Sequence, residues 1–117
     1  MFNYRQLPED EVEYVTVARV SELGSGQRML LEIDGQPIAV FNVAGQYFAI
    51  ADVCPHDDGP VGEGELEGTQ ITCPRHGARF DIMTGKALAL PAVVDIPSYP
   101  VRLRGEEIQL GLPLSQS

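Results

Sequence analysis

Two short boxes contain all the cysteines and all the histidines of this chain. The first is Cys54-Pro55-His56. The second is Cys73-Pro74-Arg75-His76-Gly77, and the sixteen residues 57–72 separate them. Soft sulfur and borderline nitrogen donors together select zinc, copper or iron–sulfur centres over magnesium or calcium. The neighbouring prolines and glycines suit tight loops around a metal. Three arrangements compete for these residues. A disulfide between Cys54 and Cys73 leaves both histidines without a role. A structural zinc would accept two thiolates and two imidazoles, although zinc fingers usually pair like ligands within one half-site. A two-iron cluster with two thiolates on one iron and two imidazoles on the other draws one donor of each kind from each box.

The residues around the boxes predict strands. Glu13 to Arg19 alternates about Val15 and Val17 and is rich in β-branched residues. A turn follows over 21–26, with one helical turn at Ser21. Met29 to Ile33 and Ile38 to Val43 flank Asp34-Gly35, a strong two-residue hairpin signal. After the turn at Ala44-Gly45-Gln46, Tyr47 to Ala51 leads into the first box. Asp57 to Gly68, with four glycines and Pro60, reads as a loop. Thr69 to Thr72 leads into the second box, and Ala78 to Ile82 leaves it. Leu88 to Val94 carries Pro91, and Pro97 and Pro100 make the next segment a poor central strand. Val101 to Arg104 and Glu107 to Leu110 pair across Gly105-Glu106. Residues 1–12 read as a loose lead-in, and 113–117 as a fraying tail. The expectation is an all-β domain of antiparallel strands, with the boxes at the tips of two hairpin-like excursions.

Composition sets the remaining bounds. The chain has 117 residues, 44% hydrophobic, enough for one folded domain. No run of about 18 apolar residues signals a membrane span, and the start lacks the features of a secretory signal, so the expected compartment is the cytoplasm. Reducing conditions there disfavour the disulfide. The net charge of −9 argues against nucleic acid or an anionic membrane as partner, and suits docking to basic protein surfaces. No glycine-rich phosphate loop and no nucleophile–base pair is visible, so no catalytic residue is assigned. Phe41, Phe48, Tyr47 and Met29 fall in strand patterns and read as core.

The two boxes resemble the Cys-x-His and Cys-x2-His boxes of the Rieske family. The resemblance extends to Glu63-Gly64-Glu65-Leu66-Glu67-Gly68, to Phe80-Asp81-Ile82-Met83-Thr84-Gly85-Lys86-Ala87, and to the proline loop Leu90-Pro91-Ala92, all similar to Rieske ferredoxins that serve ring-hydroxylating dioxygenases. It implies one Rieske domain over 1–117, with a cluster-binding subdomain at about 46–92 in a β base. It implies one [2Fe-2S] cluster per chain, with Cys54 and Cys73 on the buried iron and His56 and His76 on the outer iron. It implies a one-electron carrier, not an enzyme in itself, between a flavin-dependent reductase and a terminal oxygenase, with transient contacts. The resemblance extends also to the small Rieske-like subunit of nitrite reductase. A zinc-stabilised interaction module is the alternative from another class.

Simple charge counting supports a raised potential. Two ferric ions, two sulfides and two thiolates sum to zero, and neutral imidazoles add nothing, so reduction creates a single negative charge. Gly59 and Gly77 would let backbone N–H groups approach cluster sulfur. Against the high-potential members, Gly59 and Arg75 stand where two further cysteines would be. Ala78 and Phe80 stand where a serine and a tyrosine would donate hydroxyls. These departures predict a potential low in the Rieske range, about −150 mV. Asp57 and Asp58 read as solvated loop acids. Arg75 and Arg79 flank the second box, facing either an acidic partner or local acids. Tyr99 is expected beneath the cluster loops.

Overall fold

The computed structural model describes residues 12–54, 59–74, 77–89 and 94–113. The expectations for the lead-in, for Pro55, His56, Asp57 and Asp58, for Arg75 and His76, for the loop Leu90-Pro91-Ala92, and for the last four residues lie outside them. Among the described residues there are eleven strands. They are β1 (Val12–Arg19), β2 (Arg28–Ile33), β3 (Gln36–Val43), β4 (Gln46–Ala51), β5 (Glu65–Glu67), β6 (Gln70–Thr72), β7 (Arg79–Asp81), β8 (Ala87–Ala89), β9 (Ser98–Tyr99), β10 (Val101–Arg104) and β11 (Glu107–Pro113). One 3-10 turn, Val20–Glu22, follows β1 where a helical turn at Ser21 is predicted.

The strands form three antiparallel sheets, ordered β1-β11-β10, β2-β3-β4-β9 and β5-β6-β7-β8. Two hairpins fix the register of the middle sheet. Ile33 opposes Gln36, and the residues between them, Asp34 and Gly35, both have positive φ (52° and 78°). Such a turn matches the natural twist of the strands it joins. The next hairpin repeats the geometry with Ala44 (φ 53°) and Gly45 (φ 89°). The Asn42 side chain accepts a hydrogen bond from Gly45 N at 2.8 Å and donates to Leu23 O at 2.9 Å, fixing that turn to the loop after β1.

The middle sheet divides the interior into two cores. In β3, Ile38 and Val40 face one core and Ala39 and Phe41 the other, and all four are fully buried. In β4, Ala49 joins the first and Ile50 the second. A strand covered on both faces reads as a continuous apolar run, as Ile38-Ala39-Val40-Phe41 does. The first core packs against the β1-β11-β10 sheet through Ala18, Ile108 and Leu110. The second contains both cysteines, together with Val61, Ile71, Ala78, Phe80, Ile82 and Ile96 from the third sheet and its loops.

Several features differ from the sequence-based expectation. The glycine-rich stretch 57–68 ends in a strand, because Glu65, Leu66 and Glu67 pair with Thr72, Ile71 and Gln70 across a tight turn at Gly68 (φ 61°). Its glycines mask a strand that exists only through its partner. Only the second box lies in a hairpin, between the paired strands β6 and β7. The first box lies on the crossover from β4 in the middle sheet to β5 in the third. The proline-flanked segment is confirmed as marginal strand: Ser98 and Tyr99 alone pair, at the edge, with Ile50 and Ala49. The last strand continues to Pro113 because β1 opposes it as far as Val12.

Candidate metal centre

Both boxes close in the same way. Cys54 N donates to Gly59 O at 2.7 Å, and Cys73 N donates to Ala78 O at 2.7 Å. In each box the cysteine is therefore joined to the residue five positions later. In the second box Gly77 N also donates to Cys73 O at 3.0 Å. Gly77 has φ 74°, and a Cβ there would meet no atom within 4 Å. Its glycine serves the backbone angle, which strains any other residue. Crowding does not require it.

Both cysteine side chains are buried, Cys54 at 0% and Cys73 at 1% exposure, and both lie in one apolar cluster with no disulfide between them. The disulfide alternative, disfavoured from the sequence, is not formed. Two thiols directed into the same core suit a soft metal centre, because the thiolate is the ligand and needs a cation to offset its burial. The donor chemistry fits an iron centre with sulfur ligands on its inner side. His56 and His76 lie within the two five-residue closures by sequence, but outside the described residues.

Neighbouring groups fix the loops from three directions. Asp52 Oδ1 accepts hydrogen bonds from Val61 N at 2.8 Å and Gly62 N at 2.5 Å. Asp95 Oδ1 accepts from Ala87 N at 2.8 Å, and Ile96 N donates to Gly85 O at 2.7 Å, which ties the segment after the proline loop to the β7–β8 turn. Tyr99 packs against both cores. Burial raises its phenol above the ordinary value of 10.0. Ala78 and Phe80 are fully buried in the cysteine core, so neither offers a hydroxyl there. Arg79 is exposed on β7. Sequence reading missed Asp52 and Arg28 altogether. A lone aspartate two residues before a cysteine, and an arginine opening a strand, carry no signal without the fold.

Residues 13–100 match the Rieske [2Fe-2S] domain family. The chain is 46% identical over 88 residues to the 3-phenylpropionate/cinnamic acid dioxygenase ferredoxin subunit of Escherichia coli strain K12, covering 74% of this chain and 83% of that one. It is 32% identical over 101 residues to the ferredoxin component of the naphthalene 1,2-dioxygenase system of Pseudomonas putida, covering 86% and 97%. Among solved structures it is similar to a chain in the complex of reduced oxygenase and oxidised ferredoxin in carbazole 1,9a-dioxygenase. There the TM-score is 0.78 and the identity 29%, over 84% of this chain and 92% of that one. These relatives favour the ferredoxin reading over a nitrite reductase subunit or a zinc module. The chain belongs to the Rieske [2Fe-2S] domain family, with a [2Fe-2S] cluster as its cofactor, and is an electron-transfer component rather than an enzyme in itself.

Proposed function

We propose that this protein carries single electrons from a flavin-dependent reductase to a terminal oxygenase, as the ferredoxin of a multicomponent dioxygenase-type system. The observation that carries the reading is the matched closure of the two boxes around one core that holds both thiols. Cys54 and Cys73 hold the inner iron, and His56 and His76 hold the outer one. The whole chain works as one domain, with a cluster-binding subdomain at about residues 46–92 in the β base, and it works in the cytoplasm. When bound, the cluster supplies reversible one-electron chemistry. The chain's own contribution is to fix the loops by backbone hydrogen bonds and to keep the thiolate side dry with Val61, Ile71, Phe80 and Ile82. A dry, rigid surround limits the rearrangement that accompanies a change of charge.

Support for an oxygenase partner comes from the ferredoxin–oxygenase complex named for the structural relative. The charge of −9 favours fast encounter with basic docking faces, and weak contacts suffice for electron transfer.

The test is EPR of the purified protein before and after dithionite, with iron and acid-labile sulfide counted on the same sample. A silent oxidised form, a rhombic reduced signal with average g below the free-electron value, and equal iron and sulfide are expected. Reduction by a flavoprotein reductase and reoxidation by an oxygenase component complete the assignment. A zinc-containing, sulfide-free protein from iron-replete cells would overturn it.

A further inference from the structure

The segment Val61–Gly64 joins the first box to β5, and so to the second box. It crosses the face of the middle sheet that borders the cysteine core. Contacts show how closely it lies there. A Cβ on Gly62 would stand 2.7 Å from Leu30 Cδ2 and 2.9 Å from both Ala39 Cβ and Asp52 Oδ1, while one on Gly64 would collide with the carbonyl oxygen of Thr72. These two glycines are required because backbone lies directly on its neighbours.

Two opposite charges grip this segment. Asp52 Oδ1 accepts from Val61 N and Gly62 N. Arg28 Nη1 donates to Gly62 O at 2.8 Å and to Gly64 O at 2.6 Å. The Gly62 residue is therefore held by its N–H on one side and its carbonyl on the other. Arg28 opposes Phe41 across the β2–β3 ladder, and its guanidinium carbon lies 5.6 Å from the centroid of that ring. Phe41 belongs to the same core as Cys54 and Cys73. Asp52 is two residues before Cys54, and its own N–H donates to Pro37 O at 2.9 Å, anchoring it to the start of β3.

We propose that Arg28 and Asp52 are positioning residues for the cluster, a two-sided clamp across Gly62 that fixes the segment joining the ligand boxes and sets the charge balance beside the core that holds both cysteines. The proposal rests on the electron-carrier reading above. A clamp made only of packing would hold the segment equally well. Here the two anchors are ionic and of opposite sign, so each also acts on an electron arriving in the neighbouring core. Arg28 favours that electron and Asp52 opposes it.

The test uses the full-length holoprotein and four variants: Arg28→Met, Arg28→Lys, Asp52→Asn and Asp52→Ala. Two readouts are compared, the reduction potential by voltammetry and the rate of iron loss to a chelator. Groups that orient metal ligands typically change metal affinity about 10–100-fold when removed. Arg28→Met and Asp52→Ala are expected to lose iron at least about tenfold faster. Arg28→Lys keeps the charge and a donor, and Asp52→Asn keeps an acceptor oxygen, so both retain iron near the wild-type rate. The potentials should move in opposite directions, down in Arg28→Met and up in Asp52→Asn. A purely structural role would not separate them by sign. Potentials unchanged or shifted in the same direction would overturn the proposal, as would iron loss at the wild-type rate in Arg28→Met. Should Asp52→Ala fail to fold, Asp52→Asn and the Arg28 pair still decide it. Absence of iron and sulfide from the wild type would instead count against the electron-carrier reading.

Discussion

Substitution of Gly85 by alanine isolates the energetic value of one backbone approach. Gly85 is buried in the β7–β8 turn with φ 80°. A left-handed backbone costs a residue with a β-carbon about 1–2 kcal/mol. The added methyl would also collide with the carbonyl oxygen of Ile96, whose N–H donates to Gly85 O at 2.7 Å. Relief of that collision separates the two strands of backbone and breaks the bond. Leaving buried groups unpaired costs about 1–3 kcal/mol more. The total, about 2–5 kcal/mol, is a fifth to a half of a marginal domain stability of about 10 kcal/mol. Gly26 is the matched control: its φ is 82°, and a Cβ there would meet nothing within 4 Å. Gly26→Ala should therefore cost only the strain, about 1–2 kcal/mol. Thermal unfolding of the two holoprotein variants, followed by circular dichroism, gives the comparison. Melting temperatures should fall by about 8–20 °C and 4–8 °C respectively. Equal losses for the two variants would refute the claim that contact with Ile96, beyond backbone angle, requires glycine at 85.

Ala44 occupies the left-handed region in an exposed hairpin turn, so Ala44→Asn should raise stability by about 0.5–1 kcal/mol, and a lower denaturation midpoint would contradict the turn assignment. Burial raises the Tyr99 phenol above 10.0. The folded chain then keeps a proton that the unfolded chain releases, so this contribution is complete below pH 10 and is lost as pH rises through the folded value. Comparison of wild type with Tyr99→Phe between pH 9 and 12, in about half-unit steps, should show a shallower decline for the variant; superimposable curves would remove Tyr99 as the cause. Ala78→Ser adds a hydroxyl donor beside the Cys73 loop and should raise a wild-type potential of about −150 mV, an effect that an unchanged voltammogram would disprove.

The sequence made the hairpins legible because their signals are local. Asp34-Gly35 needs only its own two residues to take positive φ, and the alternation in β1 needs only its neighbours. The boxes were legible because cysteine and histidine are rare here and their spacing is chemical. The strand at Glu65–Glu67 was hidden, since two glutamates between glycines look like loop until β6 is brought alongside. The division of the interior into two cores was also hidden. Ile38-Ala39-Val40-Phe41 shows a strand covered on both faces, but not that one face looks at the thiols and the other at the base. Arg28 and Asp52 escaped notice for the same reason. Their partners are backbone atoms 34 and 9 positions away, and backbone groups leave no trace in residue identity.

The pairing of β1 with β11 has a consequence for how the chain is made. Val12 opposes Pro113, so the two strands that complete the outer sheet lie at nearly opposite ends of the described sequence. By contrast, β5 to β8 join neighbours within residues 65–89. Contacts between distant residues require closing a long loop and form slowly, whereas local ones form fast. During synthesis the sheet beside the ligand boxes can assemble while β1 still waits for its partner to leave the ribosome. The hydrogen-bonding edge of β1 is unpaired throughout that interval, and a chain arrested before Glu107 never pairs it.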